Sequence, residues 1–123
     1  MGDAGKTIFL IEDSKEIRTL VQILFESEGY AVASATDGQD ALDKLRSMPK
    51  LPSLILLDLM MPVMDGYQFR QEQLKDPLLA TIPVYIMTAD GNVDVKAAGL
   101  GVEGGLRKPV DIETLLEVAE KHC

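Results

Sequence analysis

The sequence predicts an α/β fold, a five-stranded parallel sheet with helices on both faces. Three observations carry this. Short β-rich runs and helix-period runs alternate five times along the chain. The connections between them are short, with no linker, low-complexity stretch or internal repeat. The third strand candidate, Leu54-Ile55-Leu56-Leu57, is apolar at every position, as a strand covered on both faces must be.

The first strand is Thr7-Ile8-Phe9-Leu10-Ile11, ending at Glu12-Asp13. Ser14 is placed to cap a helix whose apolar face is Ile17, Leu20, Val21, Leu24 and Phe25; Gly29 ends it. A weaker second strand spans residues 30–35, and Asp37-Gly38 turns the chain into a helix with Ala41, Leu42, Leu45 and Met48 at helical spacing. Pro49 and Pro52 break that helix before the third strand, which holds one carboxylate, Asp58. Asp65-Gly66 opens a helix of about ten residues that closes near Lys75, before Asp76-Pro77. The fourth strand runs over residues 83–87 and ends at Thr88. A short, glycine-flanked helix over residues 92–98 follows. Residues 104–107 form a glycine-weakened fifth strand closed by Lys108-Pro109. Asp111 caps the last helix, whose inner face reads as Ile112, Leu115, Leu116 and Ala119.

Residues 1–123 read as one domain, long enough to bury roughly two-thirds of the unfolded surface. Twenty acids against twelve bases give a net charge of −8, which repels phosphate backbones and anionic lipid. Direct nucleic-acid binding and membrane insertion are therefore not expected. Residues 2–6 are polar and lack a leader pattern. The single cysteine, Cys123, allows no internal disulfide and reads as an exposed thiol on a frayed end. A cytoplasmic protein is the economical expectation.

In an open parallel sheet, ligands bind beyond the carboxyl ends of the strands. Here those ends are Glu12 and Asp13, Asp58, Thr88 and Lys108, so five side chains converge on one edge. Acids and hydroxyls after strands often only cap the next helix, which is the role expected of Ser14, Asp37 and Asp111. Three acids, a hydroxyl and a lysine together are more than capping needs. Two carboxylates about 4 Å apart repel by ~4 kcal/mol at an effective dielectric near 20, and Lys108 supplies only one positive charge. A hard divalent cation with oxygen ligands answers the imbalance, and Mg²⁺ is the natural candidate. Such a site suits phosphoryl chemistry, with Asp58 as a nucleophile forming an acyl phosphate.

The motifs Ile11-Glu12-Asp13, Leu57-Asp58-Leu59-Met60-Met61-Pro62 with Asp65-Gly66, Thr88-Ala89 and Lys108-Pro109 resemble the receiver domain of bacterial two-component response regulators along nearly the whole chain. They are most similar to the stand-alone chemotaxis-type receivers. The resemblance implies a single flavodoxin-like (βα)5 domain of strand order 2-1-3-4-5. It implies that Asp58 accepts a phosphoryl group from a sensor histidine kinase or phosphotransfer protein. Glu12, Asp13 and Asp58 would hold Mg²⁺ with the backbone carbonyl of Met60. Thr88 would hydrogen-bond the phosphoryl group and Lys108 would pair with it. The turn at Lys108-Pro109 resembles one that contains a cis peptide. Output would pass to a downstream protein partner through the surface of the fourth and fifth strand–helix units. This would be a phosphoacceptor, not a conventional turnover enzyme.

The chain departs from the family where an aromatic usually stands three residues before the lysine. That position is Gly105, with Gly104 beside it, and the segment from Thr88 to Lys108 is shorter than usual. Signalling is therefore expected to rely on reordering residues 89–101. Gly105 also motivates an alternative, a degenerate receiver that acts as a constitutive interaction module. A small hydrolase would need an acid to activate water, and Asp90 is the candidate. Gly5-Lys6-Thr7 is not a phosphate loop, because it precedes a strand. Residues 90–101 are not an EF-hand, with Val95 and Gly101 where glycine and glutamate belong. His122, the only histidine, reads as a helix-end cation or an exposed residue, and the six methionines as packing.

Overall fold

The structure is a computed structural model and describes residues 6–123. The readings of residues 2–5, including the missing leader pattern, lie outside the described residues. Five strands alternate with five helices: β1 (Thr7–Ile11), α1 (Lys15–Ser27), β2 (Ala31–Ala35), α2 (Gly38–Ser47), β3 (Leu54–Asp58), α3 (Gly66–Lys75), β4 (Val84–Thr88), α4 (Val93–Leu100), β5 (Gly104–Arg107) and α5 (Ile112–His122). A single 3-10 turn, Leu79–Thr81, lies between α3 and β4. All strand pairs are parallel, in the order β2-β1-β3-β4-β5 expected of a flavodoxin-like sheet.

Alternation along each strand sends side chains to two cores. Phe9, Ile11, Ile55, Leu57, Val84 and Ile86 pack with α2, α3 and α4. Ile8, Leu10, Leu54, Leu56, Tyr85 and Met87 pack with α1 and α5. β3 sits between β1 and β4 and is buried at all five positions, which explains its unbroken apolar run. Ser14 and Asp37 cap α1 and α2 as expected, accepting from the N–H groups of Ile17 and Asp40. Asp65 and Gln68 form a reciprocal capping box on α3.

Several expectations are corrected. Asp111 occupies the N-cap position of α5 but accepts no backbone N–H; its carboxylate instead accepts from the Thr114 hydroxyl at 3.4 Å. Ile112 is 58% exposed, and the buried face of α5 is Leu115, Val118 and Ala119. Leu20 on α1 is likewise 68% exposed, because it and Ile112 flank an apolar groove between α1 and α5 instead of closing the core. Met48 lies just beyond α2 and still packs on the first core. Cys123 is half-buried against the second core, not an exposed thiol. His122 is half-buried and meets the Tyr85 hydroxyl at 3.1 Å. Among the described residues, no helix is long and apolar enough to cross a membrane.

Candidate functional site

The carboxyl ends of β1, β3, β4 and β5 bring Glu12, Asp13, Asp58, Thr88 and Lys108 to one edge, as the convergence of strand ends predicts. Glu12 is 1% exposed and both its oxygens are engaged. Oε1 accepts from the Lys108 ammonium at 2.8 Å, and Oε2 from the backbone N–H of Ser14 at 3.1 Å. Asp13, next along the chain, is exposed. Asp58 is 3% exposed; Oδ1 lies 3.3 Å from Lys108 Nζ and accepts the Met60 N–H at 3.3 Å.

Burial, and then the Glu12 charge, push the Asp58 carboxyl up to about 6. Lys108 and the Met60 N–H oppose the shift without cancelling it. The geometry explains why, since Lys108 holds Glu12 more closely than Asp58. Burial also works against the Lys108 ammonium, but its hydrogen bond to Glu12 and the two carboxylate charges win, and its pKa is raised. Asp58 is thus ionised at neutral pH yet incompletely compensated.

The local sequence builds this edge. The loop after Asp58 doubles back sharply: Val63 has φ +66°, and Met64 N–H donates to the Pro62 carbonyl at 2.7 Å. Only glycine fits where the loop returns, for a Cβ on Gly66 would lie 2.5 Å from the Asp58 carbonyl oxygen. The Lys108–Pro109 bond is cis, as the resemblance implied. Sequence reasoning missed Arg18. Its guanidinium donates to the carbonyls of Glu12 and Asp13, at 2.8 and 2.9 Å, and so fixes the turn that carries both acids. The signal was a basic residue one helical turn beyond the Ser14 cap.

One oxygen from each of Glu12, Asp13 and Asp58 can be taken so that all lie within 4.8 Å of one another. An all-oxygen set of this size, with one member open to water, fits a hard divalent cation that keeps part of its hydration shell. The family model for the response regulator receiver domain matches residues 8–120.

The chain belongs to the response regulator receiver family.

Receiver domains are phosphoacceptors of two-component systems and interact with histidine kinases or phosphotransfer proteins. This receiver is 38% identical to the DNA-binding dual master transcriptional regulator RpaA of Synechocystis, over 89% of the chain but 45% of that protein. It spans less than half the length of that relative and of several other similar regulators. Protein PilG of Pseudomonas aeruginosa is 33% identical over 96% of the chain and 87% of its own length. Among solved structures, the chemotaxis response regulator CheY4 of Vibrio cholerae superposes with a TM-score of 0.85 at 28% identity, covering 96% of this chain and 98% of that one. The receiver domain of the P. aeruginosa sensor histidine kinase PA1611, with magnesium coordinated in its active-site cleft, gives 0.84 at 26%, covering 96% and 97%. The acidic cluster of the present receiver is compatible with the same kind of ion.

Proposed function

We propose that residues 1–123 form one receiver unit in which Asp58 takes a phosphoryl group from a phosphohistidine on a sensor kinase or phosphotransfer protein. The observation that carries this reading is Asp58 itself: a buried, ionised carboxylate 3.3 Å from Lys108, inside a three-acid cluster. A structural acid would be paired off; this one is held short of neutralisation, ready to form a bond. An Asp58 oxygen attacks phosphorus, the P–N bond of the donor breaks, and the imidazole leaves with the bonding electron pair. Lys108 stands next to the attacked carboxylate and offsets charge on the phosphoryl oxygens. The Thr88 hydroxyl, buried at the end of β4, turns to donate to one of them. Glu12, Asp13, Asp58 and the Met60 carbonyl would hold Mg²⁺, which when bound supplies charge neutralisation at the phosphoryl oxygens. Arg18 keeps the Glu12–Asp13 turn in shape for that task.

The apolar groove between α1 and α5, about 550 Å³, runs from Leu24 and Leu20 up to Lys108 and Pro109. It supports a docking role for a donor helix, which would bring a phosphohistidine to the Asp58 edge. Readout belongs to the surface of α4, β5 and α5, in contact with a downstream protein partner. A net charge of −8 argues against direct contact with nucleic acid, and the site of action is the cytoplasm.

Gly105 favours a second reading, a constitutive interaction module with no phosphoryl step. The hydrolase reading loses support, because the Asp90 carboxylate is occupied by Lys96 at 2.9 Å and by the Asn92 N–H at 2.9 Å. Incubation with acetyl phosphate and Mg²⁺, followed by intact mass, separates the first two. Gain of one phosphoryl group, abolished by Asp58→Asn, is the expected result; no gain under conditions that label an ordinary receiver would favour the constitutive module.

A further inference from the structure

We propose that Met64 is an oxidation switch: its thioether wedges the loop after β3 against α2, and conversion to the sulfoxide by a peroxide unseats that loop from the acidic edge. The proposal rests on the reading of Glu12, Asp13, Asp58 and the Met60 carbonyl as a divalent-cation site and concerns what disables it. Three observations carry it.

The first is a seat with no spare room. Gly38, the first residue of α2, donates its N–H to the Met64 carbonyl at 2.9 Å, which satisfies one of the free donors of the helix end. The Met64 side chain lies along the same glycine. A Cβ built on Gly38 would stand 2.7 Å from Met64 Cγ, 2.8 Å from Sδ and 2.9 Å from the Met64 carbonyl oxygen. The sulfur therefore faces bare backbone, and the rest of the side chain packs on the first core. A sulfoxide oxygen in that seat meets an α-carbon on one side and apolar side chains on the other, where a polar atom without a donor is costly. It reaches water only by carrying the side chain out.

The second is strain. Val63 has φ +66° and is 82% exposed, and the Met64 N–H closes back on the Pro62 carbonyl at 2.7 Å. Closure over three residues at positive φ is the strained form of the γ-turn, and here a β-branched residue occupies its centre. Burial does not hold Val63 in that conformation. The contacts of Met64 with Gly38 hold the turn from its far side, and it opens when they are lost.

The third is position. Met60, four residues before Met64, donates its N–H to Asp58 Oδ1 at 3.3 Å, and its carbonyl belongs to the proposed ligand set. Beyond the turn the chain is pinned, for Gly66 N–H donates to the Leu59 carbonyl at 3.1 Å and the Asp65–Gln68 capping box fixes the start of α3. With that end fixed, an opened turn displaces residues 60–64 and the Met60 carbonyl with them.

The step needs hydrogen peroxide and no catalyst. A sulfur lone pair attacks one peroxide oxygen, the O–O bond breaks, and after proton transfer one water leaves. Sulfur keeps the oxygen, and two electrons pass from thioether to peroxide. Met64 is half-buried and so within reach of the oxidant, whereas Met87 is 1% exposed. Met60, 72% exposed, oxidises as well, but its sulfoxide stands in water and displaces nothing.

Peroxide treatment of the full chain, with peptide mass mapping of each methionine, tests this. Oxidation of Met64 should weaken Mn²⁺ binding, read by electron paramagnetic resonance, by ~10-fold or more. Exchange of the Gly38 and Met64 amide hydrogens should quicken by about fivefold or more, and methionine sulfoxide reductases should reverse both changes. Met64→Leu, which keeps the volume and removes the sulfur, should hold its Mn²⁺ affinity through the same treatment, while Met60→Leu should lose it as the wild type does. Gly38→Ala, which crowds the seat, should bind Mn²⁺ weakly without any oxidant. Unchanged affinity in protein whose Met64 is oxidised would overturn the switch and leave the metal reading intact. An equal loss in Met64→Leu would do the same, as would a Met64 that stays reduced when Met60 is fully oxidised. Absence of Mn²⁺ binding by the reduced protein would remove the metal reading and the switch with it.

Discussion

Replacing Asp58 by asparagine should make the metal-free protein more stable, and increasingly so as the pH rises. Asp58 is 3% exposed, and its carboxyl is pushed from the ordinary 3.8 to about 6 by burial and by Glu12. The folded state therefore holds this proton more tightly than the unfolded chain. Below the unfolded value both states are protonated, and the site carries no charge penalty. As pH rises from about 4 through about 6, the unfolded chain ionises first and folding stability falls. The gap from 3.8 to about 6 is worth ~3 kcal/mol, at about 1.4 kcal/mol for each tenfold step. Asparagine keeps an oxygen for the Met60 N–H and removes the charge. Above pH 7 Asp58→Asn should thus gain ~3 kcal/mol, or about 10 °C in Tm. Near pH 4 the gain should shrink below ~1 kcal/mol, since the wild-type carboxyl is then protonated. Urea unfolding of both proteins, followed by circular dichroism in EDTA across that range, measures the difference and cancels the titrating groups that do not interact with Asp58. Equal stabilities above pH 7 would refute the reasoning, because Lys108 would then already neutralise Asp58. Added Mg²⁺ should close the gap at high pH by stabilising the wild type preferentially.

Other outcomes follow from the same geometry. Arg18→Ala should weaken Mn²⁺ binding, read by electron paramagnetic resonance, by ~10-fold, with Arg18→Lys recovering part of the loss; unchanged affinity would make the Arg18 contacts merely structural. Arg70→Met strips the guanidinium from the carbonyls of Leu100 and Gly101 and from Gln73, and should cost ~3 kcal/mol in urea unfolding. Leu20→Asp with Ile112→Asp should slow transfer from a phosphohistidine protein by ~10-fold or more while labelling by acetyl phosphate stays unchanged. Equal slowing of both donors would place the defect in the site and not in docking.

The site was legible because topology did the gathering. Once β3 is read as a strand covered on both faces and strands alternate with helices, a parallel sheet follows, and Glu12, Asp13, Asp58, Thr88 and Lys108 have one edge to share. Residues whose partners are distant in sequence were not legible. Arg70 and Gln73 look like the solvent face of a polar helix, and only tertiary contacts, of Arg70 with Leu100 and Gly101 and of Gln73 with the carbonyls of Leu79 and Ile82, make them buried. Leu20 and Ile112 were read as core because helical periodicity counts apolar residues without knowing whether a neighbour covers them. Gly105 was read as a missing side chain, a local fact; that Val93 fills the gap is a property of how α4 docks.

The bond between Lys108 and Glu12 joins residues 96 positions apart, and this bears on how the protein is made. Translation delivers the acids of β1 and β3 well before Lys108, the ammonium that sits among them. Until β5 docks, the acids gathered at this edge repel one another with no lysine to hold them, by ~4 kcal/mol for a pair about 4 Å apart. A nascent chain still on the ribosome, or one cut short before its last strand, has the aspartate but not the acceptor site. On the phosphoacceptor reading, only a chain completed through β5 competes for phosphoryl groups, and unfinished copies stay silent in the pathway.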